Sequence, residues 1–161
     1  MNTAIFNNFQ KGNKMSSTTF EIEKLYIEFF NRPADPGGLQ FYSDAVNNKG
    51  LTITDIAHAM EQSAEYKQNF TSTPTWGLDA AVDRAFMNMF DHHASTAELN
   101  YWGQKFGNAL FFNGHSSDVI MQIADSATGA DLQHFMQKVT NALPAQLVGV
   151  HTADTAEILI A

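Results

Sequence analysis

The stretch FFNRPADPGGLQFY, Phe29 to Tyr42, sets four aromatics around an Arg-Pro and an Asp-Pro-Gly-Gly in fourteen residues. Paired glycines can cradle an anionic ligand, and the same residues can also form the corner between two helices. Local chemistry favours the corner. Pro33 disfavours the α region for the residue before it, so a helix arriving through Phe29 and Phe30 has to stop near Asn31. Asp35 followed by Pro36 then reads as an N-cap with proline at the first helical position.

Helical periodicity extends in both directions from this corner. Upstream, Ile22, Leu25, Tyr26, Phe29 and Phe30 make an i, i+3, i+4 stripe, and Thr18 with Glu21 has capping-box spacing. Residues 1–17 read as a polar, flexible leader. Downstream, Leu39, Tyr42 and Val46 line one face, Gly50 offers a stop, and Thr52 with Asp55 caps a helix carrying Ile56, Met60 and Ala64. Ser63 to Tyr66 starts a short turn running to Phe70, and TSTPTWG, Thr71 to Gly77, is a linker. A second series follows: Leu78, Val82, Ala85, Phe86, Met89 and Phe90; Ser95 and Glu98 capping Leu99, Trp102 and Phe106; Val119, Ile120 and Ile123; and Leu132, Phe135, Met136, Val139 and Leu143 before Pro144. No segment shows the strict alternation of a strand. The expected fold is all-α, a compact bundle of about seven or eight short helices.

Shifting the chain by sixty residues brings its halves into register. Tyr26 meets Phe86, Phe30 meets Phe90, Asp35 meets Ser95, Leu39 meets Leu99, and Phe41-Tyr42 meets Tyr101-Trp102. After a few inserted residues Asp55 meets Asp118 and Ser63 meets Ser126. The matches fall on core stripes and helix caps, the positions that a repeated helical unit must keep. Residues 18–144 therefore read as one two-unit domain, with unit one over about 18–70 and unit two over about 78–143. Residues 145–161 read as a tail or the start of a following segment, and the apolar AEILIA ending reads as part of a longer polypeptide. The second copy has His92-His93 in place of Arg32-Pro33 and Ala97-Glu98 in place of Gly37-Gly38. A phosphate cradle would not survive that exchange, whereas a corner does.

Acidic residues outnumber basic ones 17 to 9, a formal charge of -8 that repels nucleic-acid phosphates and anionic headgroups. No nucleic-acid partner and no membrane insertion are expected, since no apolar run approaches the roughly 20 residues of a spanning helix. The polar start lacks the apolar region of a cleaved signal peptide. The absence of cysteine excludes disulfides and thiolate chemistry.

The residues Leu25, Tyr26, Phe30, Arg32, Asp35, Gly38, Leu39, Phe41 and Tyr42, followed by Ser63, Glu65 and Tyr66, carry a resemblance. Their pattern resembles a bacterial domain family of unassigned activity found in surface-layer proteins, type I-secreted repeat-containing proteins and adhesins. It is similar, more distantly, to the helical domain of phycobilisome linkers. The resemblance covers about residues 20–70 well and unit two loosely, through Ser95, Leu99 and Trp102. It implies a non-enzymatic anchoring or assembly domain at the bacterial cell surface, exported without a cleaved signal peptide. Implied partners are envelope polysaccharide, such as lipopolysaccharide O-antigen, and further copies of the chain in a lattice. The linker likeness implies the alternative of a scaffold that binds proteins through its helix corners. No cofactor is expected. Calcium, common in surface-layer assemblies, needs clustered oxygen ligands, and NRPADPGG offers a single carboxylate.

Candidate chemistry is sparse. Asp91, His92 and His93, with His115 later, form the one conceivable metal cluster, but adjacent helical side chains diverge. His58 and His134 read as ordinary helix residues. Asp35, Asp55, Ser95 and Asp118 occupy capping positions. Glu61 and Glu65 have i, i+4 spacing, which would serve a hydrolase or simply a solvated face. Arg32 is expected to pair with a carboxylate such as Glu65. Phe111 and Phe112, in a loop beside Asn113, suit either core burial or stacking on sugar rings. Together with Trp76 and Gln104 they are the candidate ligand-binding residues.

Overall fold

A computed structural model describes residues 14–70, 77–112 and 114–143. Among these are eight helices and no strand: α1 Lys14–Phe30, α2 Pro36–Lys49, α3 Ile53–Glu61, α4 Ala64–Phe70, α5 Leu78–Phe90, α6 Thr96–Phe111, α7 Ser116–Ser126 and α8 Gly129–Ala142. The fold is the all-α bundle that the periodicity requires. No helix of the described residues is long and apolar enough to cross a membrane.

The helix starts follow the capping chemistry. Asp35 accepts from the Gly38 N–H at 2.8 Å, and Thr52 with Asp55 and Ser95 with Glu98 form reciprocal capping boxes. Three expectations need correction. The first helix starts at Lys14, so Thr18 is no cap; it lies inside α1, buried, with its hydroxyl on Asn47 Oδ1. Asp118 is no N-cap either. That position is His115, and Asp118 sits in the first turn of α7, bonded to His58. Leu132 stands exposed on α8, where Phe135 and Val139 are the buried pair.

Unit one is α1–α4 and unit two α5–α8. Helices α1 and α5 lie at the centre, packed on each other and on most of the remaining helices. The reciprocal pairs α1 with α8 and α4 with α5 join the units as an isologous dimer interface would. The sixty-residue register persists at atomic detail. Asn31 and Asp91 both end their helices with positive φ (52° and 56°), which Asn and Asp tolerate better than other side-chain-bearing residues. Glu23 Oε2 accepts from Ala34 N–H and Asp83 Oδ1 from Ala94 N–H, each at 2.9 Å, so a carboxylate from the first helix secures each corner. Across the centre, the equivalent positions 28 and 88 meet, Asn88 donating to the Glu28 carbonyl at 3.0 Å, and the units also touch where His58 Nε2 lies 2.7 Å from Asp118.

The core is aromatic-rich. Phe29, Tyr66, Phe106 and Phe135 are fully buried, and Tyr66 meets Phe29 edge-on at 5.2 Å between centroids. Two carboxylates break the pattern, Glu23, which secures the corner, and Glu28. Glu28 is buried and its Oε2 has no hydrogen-bond partner. Burial pushes its carboxyl up to about 8; Lys24 opposes this, and Asp125 and Glu21 add to it.

Candidate functional site

At the corner, the motif residues have structural tasks, the exposed Phe41 excepted. Arg32 binds Glu65 with both arms of its fork, Nε to Oε1 at 2.8 Å and Nη2 to Oε2 at 2.7 Å. Its guanidinium also lies 5.2 Å from the Tyr26 ring centroid and 5.5 Å from that of Phe30. It thereby ties the α1–α2 corner to α4, the pairing expected from the sequence. The Arg32 bond holds the Glu65 carboxyl below its ordinary value. Leu39 and Tyr42 pack half-buried on the core, as Leu99 does in unit two, while Trp102 is buried there. The Ser63 hydroxyl accepts from the Tyr66 N–H at 3.1 Å to start α4. The ion pair is about two-fifths exposed, so its contribution is modest. Arg32→Ala is expected to cost about 1 kcal/mol in denaturant titration, and Arg32→Lys to recover little, because a lysine lacks the fork. An unchanged melting temperature with lost ligand binding would instead make Arg32 a binding residue.

Glu61 and Glu65 do not form an acid pair. Glu61 turns to unit two, where it meets His115 Nδ1 at 2.7 Å, the Ser116 N–H at 2.8 Å and the Ser116 hydroxyl at 2.5 Å. Burial alone would raise Glu61, but the bonds from Ser116 and His115 outweigh it and leave the carboxyl below its ordinary value. Both acids therefore favour the charged form, the opposite of what a general acid needs. His58 and His115 stack at 3.5 Å between them, and Tyr66 reaches Ser116 Oγ at 2.9 Å. The cluster fastens α3 and α4 to α7. His58 is therefore part of the contact between units, paired with Asp118 sixty residues away, a partner that local periodicity does not reveal.

The other described histidines also find separate carboxylates. His92 pairs with Asp131 at 3.0 Å, His93 with Asp83 at 2.7 Å and His134 with Asp91 at 2.7 Å. Among the described residues no three His, Asp or Glu side chains converge as metal ligands. A shallow cleft of about 560 Å³ passes Asp83, Asn88, Asp91 and His93, but each of these is already bonded within the protein. A second, of about 840 Å³, runs from Glu23 past Gln40 and Asn47 to Ala142.

The outer face of α6 differs. Tyr101, Gln104, Lys105, Asn108, Phe111 and Phe112 recur at i, i+3, i+4, i+7, i+10 and i+11, so they share one side of the helix. Phe111 and Phe112 are 80% and 79% exposed and Tyr101 58%. The pair is thus neither buried nor in a loop: Phe111 is the last residue of α6 and Phe112 its C-cap. Gln104 and Asn108 are exposed, and among the described residues neither side-chain amide has a hydrogen bond. Lys105 lies 5.3 Å from the Tyr101 ring centroid. Between Tyr101 and Phe112 the sequence has no carboxylate. In unit one the same register gives Phe41, Asp44, Asn48 and Leu51, but there Asp44 binds Asn48 at 2.6 Å and Lys49 at 3.2 Å. The first face is closed on itself and the second is open. Of the candidate ligand-binding residues, α6 brings Gln104, Phe111 and Phe112 together, while Trp76 and Asn113 lie outside the described residues. Tyr101 and Asn108 were missed, although helical spacing from Gln104 would have found them.

Residues 2–70 match a domain of unknown function (DUF4214). The match ends at the last residue of α4, so it spans the corner and the Arg32–Glu65 closure and none of unit two. No curated protein and no solved structure matches the chain. The open face of α6 therefore lies outside the DUF4214 match.

Proposed function

We propose that the protein is a non-enzymatic anchoring or assembly domain of the bacterial cell surface that binds envelope polysaccharide, of the class of lipopolysaccharide O-antigen. The observation that carries this reading is the face of α6, where exposed aromatic rings flank two amides that make no hydrogen bond among the described residues, with no carboxylate between Tyr101 and Phe112. Aromatic rings stack on the apolar faces of sugars, and amides supply both donors and acceptors to hydroxyls. Each contact is weak, and repetition along a polymer or across a lattice multiplies them. The acidic remainder of the surface disfavours nucleic acid and anionic lipid as competing partners.

Calorimetry of the chain with lipopolysaccharide from its own host, with and without calcium, tests the reading. Saturable binding is expected, lost with lipopolysaccharide lacking O-antigen and weakened about tenfold or more in Phe111→Ala/Phe112→Ala. Absence of binding in every arm overturns it. The exposed run Leu110, Phe111 and Phe112 favours a second reading, a protein-binding scaffold or self-association. Concentration-dependent sedimentation abolished by the same double variant would select that alternative.

A further inference from the structure

Resting on the polysaccharide reading, we infer that the α6 face takes an extended oligosaccharide as its minimal ligand, several linked sugars lying along the helix, and that a single sugar does not suffice. The spacing of the groups carries this. Tyr101 stands ten residues before Phe111 on the same side of α6, about 15 Å at 1.5 Å per residue. One sugar ring is too small to reach both aromatic ends. The exposed amides of Gln104 and Asn108 fall between them, at the points where a chain stacked at both ends would present its hydroxyls. The polarity along the face is aromatic, amide, amide, aromatic, with Lys105 at its margin as the sole charge. Such a face suits an uncharged or weakly acidic glycan. A strongly basic chain would find no carboxylate on it.

Unit one supplies an internal comparison. Its equivalent face has an aromatic at one end, Phe41, and an aliphatic at the other, Leu51. Its amide, on Asn48, is occupied by Asp44. Unit one is therefore expected to add no second site, and one chain should bind per protein.

The test uses the full chain and host O-polysaccharide cut by partial acid hydrolysis into monosaccharide, short and long fractions, titrated by calorimetry. Affinity is expected to rise steeply with length and then level off once both ends are covered, the monosaccharide binding at least about a hundredfold more weakly than the long fraction. Tyr101→Ala and Phe111→Ala/Phe112→Ala should each weaken the long fraction about tenfold, with circular dichroism unchanged because the removed rings are exposed. Equal affinity for the monosaccharide and the long fraction overturns the inference and leaves the polysaccharide reading standing. So does loss confined to the Phe111-Phe112 end. No binding at any length overturns both.

Discussion

Replacing Glu28 by glutamine is expected to stabilise the protein at pH 8 and above, by on the order of a few kcal/mol, and to flatten its dependence on pH. Glu28 is buried in the centre with Oε2 unpartnered, and burial raises its carboxyl from 4.5 to about 8. The folded state therefore holds this proton more tightly than the unfolded chain. For a group raised in this way, the stabilising contribution is fully present below 4.5 and is lost as pH climbs through about 8. Glutamine does not titrate, so variant and wild type should converge at low pH and separate as pH rises. Lys24 shares the environment: burial alone would lower its ammonium, but the charges of Glu28, Glu21 and Asp125 outweigh it. Below about 8 Glu28 is largely neutral, and Lys24 then relies on Glu21 at 3.3 Å and Asp125 at 3.9 Å.

His92 pulls in the same direction as Glu28. The His93 carbonyl, and then Asp131, raise its imidazole, so its contribution is present below the ordinary histidine value and fades above it. The side chain is nearly half exposed, and screening keeps the effect small. Asp91 works the other way. The Lys138 ammonium holds its carboxyl low, so that contribution exists above the ordinary aspartate range and is lost on acidification. Stability should therefore peak in weakly acidic solution. Urea titrations from pH 5 to 9 on wild type and Glu28→Gln decide the matter, and parallel pH profiles for the two proteins would show that Glu28 is solvated or paired in solution.

Most of the fold was legible in the sequence because short-range rules determine it. Asp35-Pro36, Thr52 with Asp55 and Ser95 with Glu98 each specify a helix start by contacts within four residues, and the apolar stripes then fix which side turns inward. The first helix was misjudged for the same reason: Thr18 and Glu21 have the spacing of a box, but Thr18 is instead buried against Asn47, 29 residues away. Asp118 shows the limit from the other side. It looked like a cap, and a partner 60 residues distant, His58, claims its side chain. The open face of α6 was half legible. Periodicity can say that Tyr101, Gln104 and Asn108 share a side with Phe111, but it cannot say that nothing packs there, because that depends on where the other helices stop.

The paired glycines have different tasks, and substituting them one at a time should separate these. Gly37→Ala places its methyl 3.5 Å from Asp35 Oδ1, an ordinary contact, and is expected to be neutral or slightly stabilising through a less flexible unfolded chain. A Cβ at Gly38 would overlap the Tyr26 hydroxyl and crowd Asp35 Oδ2, at 3.1 Å. Helix propensity alone would favour alanine by about 0.5–1 kcal/mol, but displacing a mostly buried tyrosine and an N-cap carboxylate typically costs more, about 1–3 kcal/mol. Gly38→Ala should therefore destabilise. Unit two shows how that constraint is lifted: Phe86 replaces Tyr26 and has no hydroxyl, and Glu98 replaces Gly38. Tyr26→Phe should consequently recover part of the loss in the double variant. Recovery stays partial because the ring Cζ would still lie 3.2 Å from the new methyl. Midpoints of denaturation for the two single variants, the double variant and wild type give the coupling directly. Additive losses would mean that the hydroxyl is not what keeps position 38 a glycine, and a stabilising Gly38→Ala would return the paired glycines to consideration as a ligand cradle.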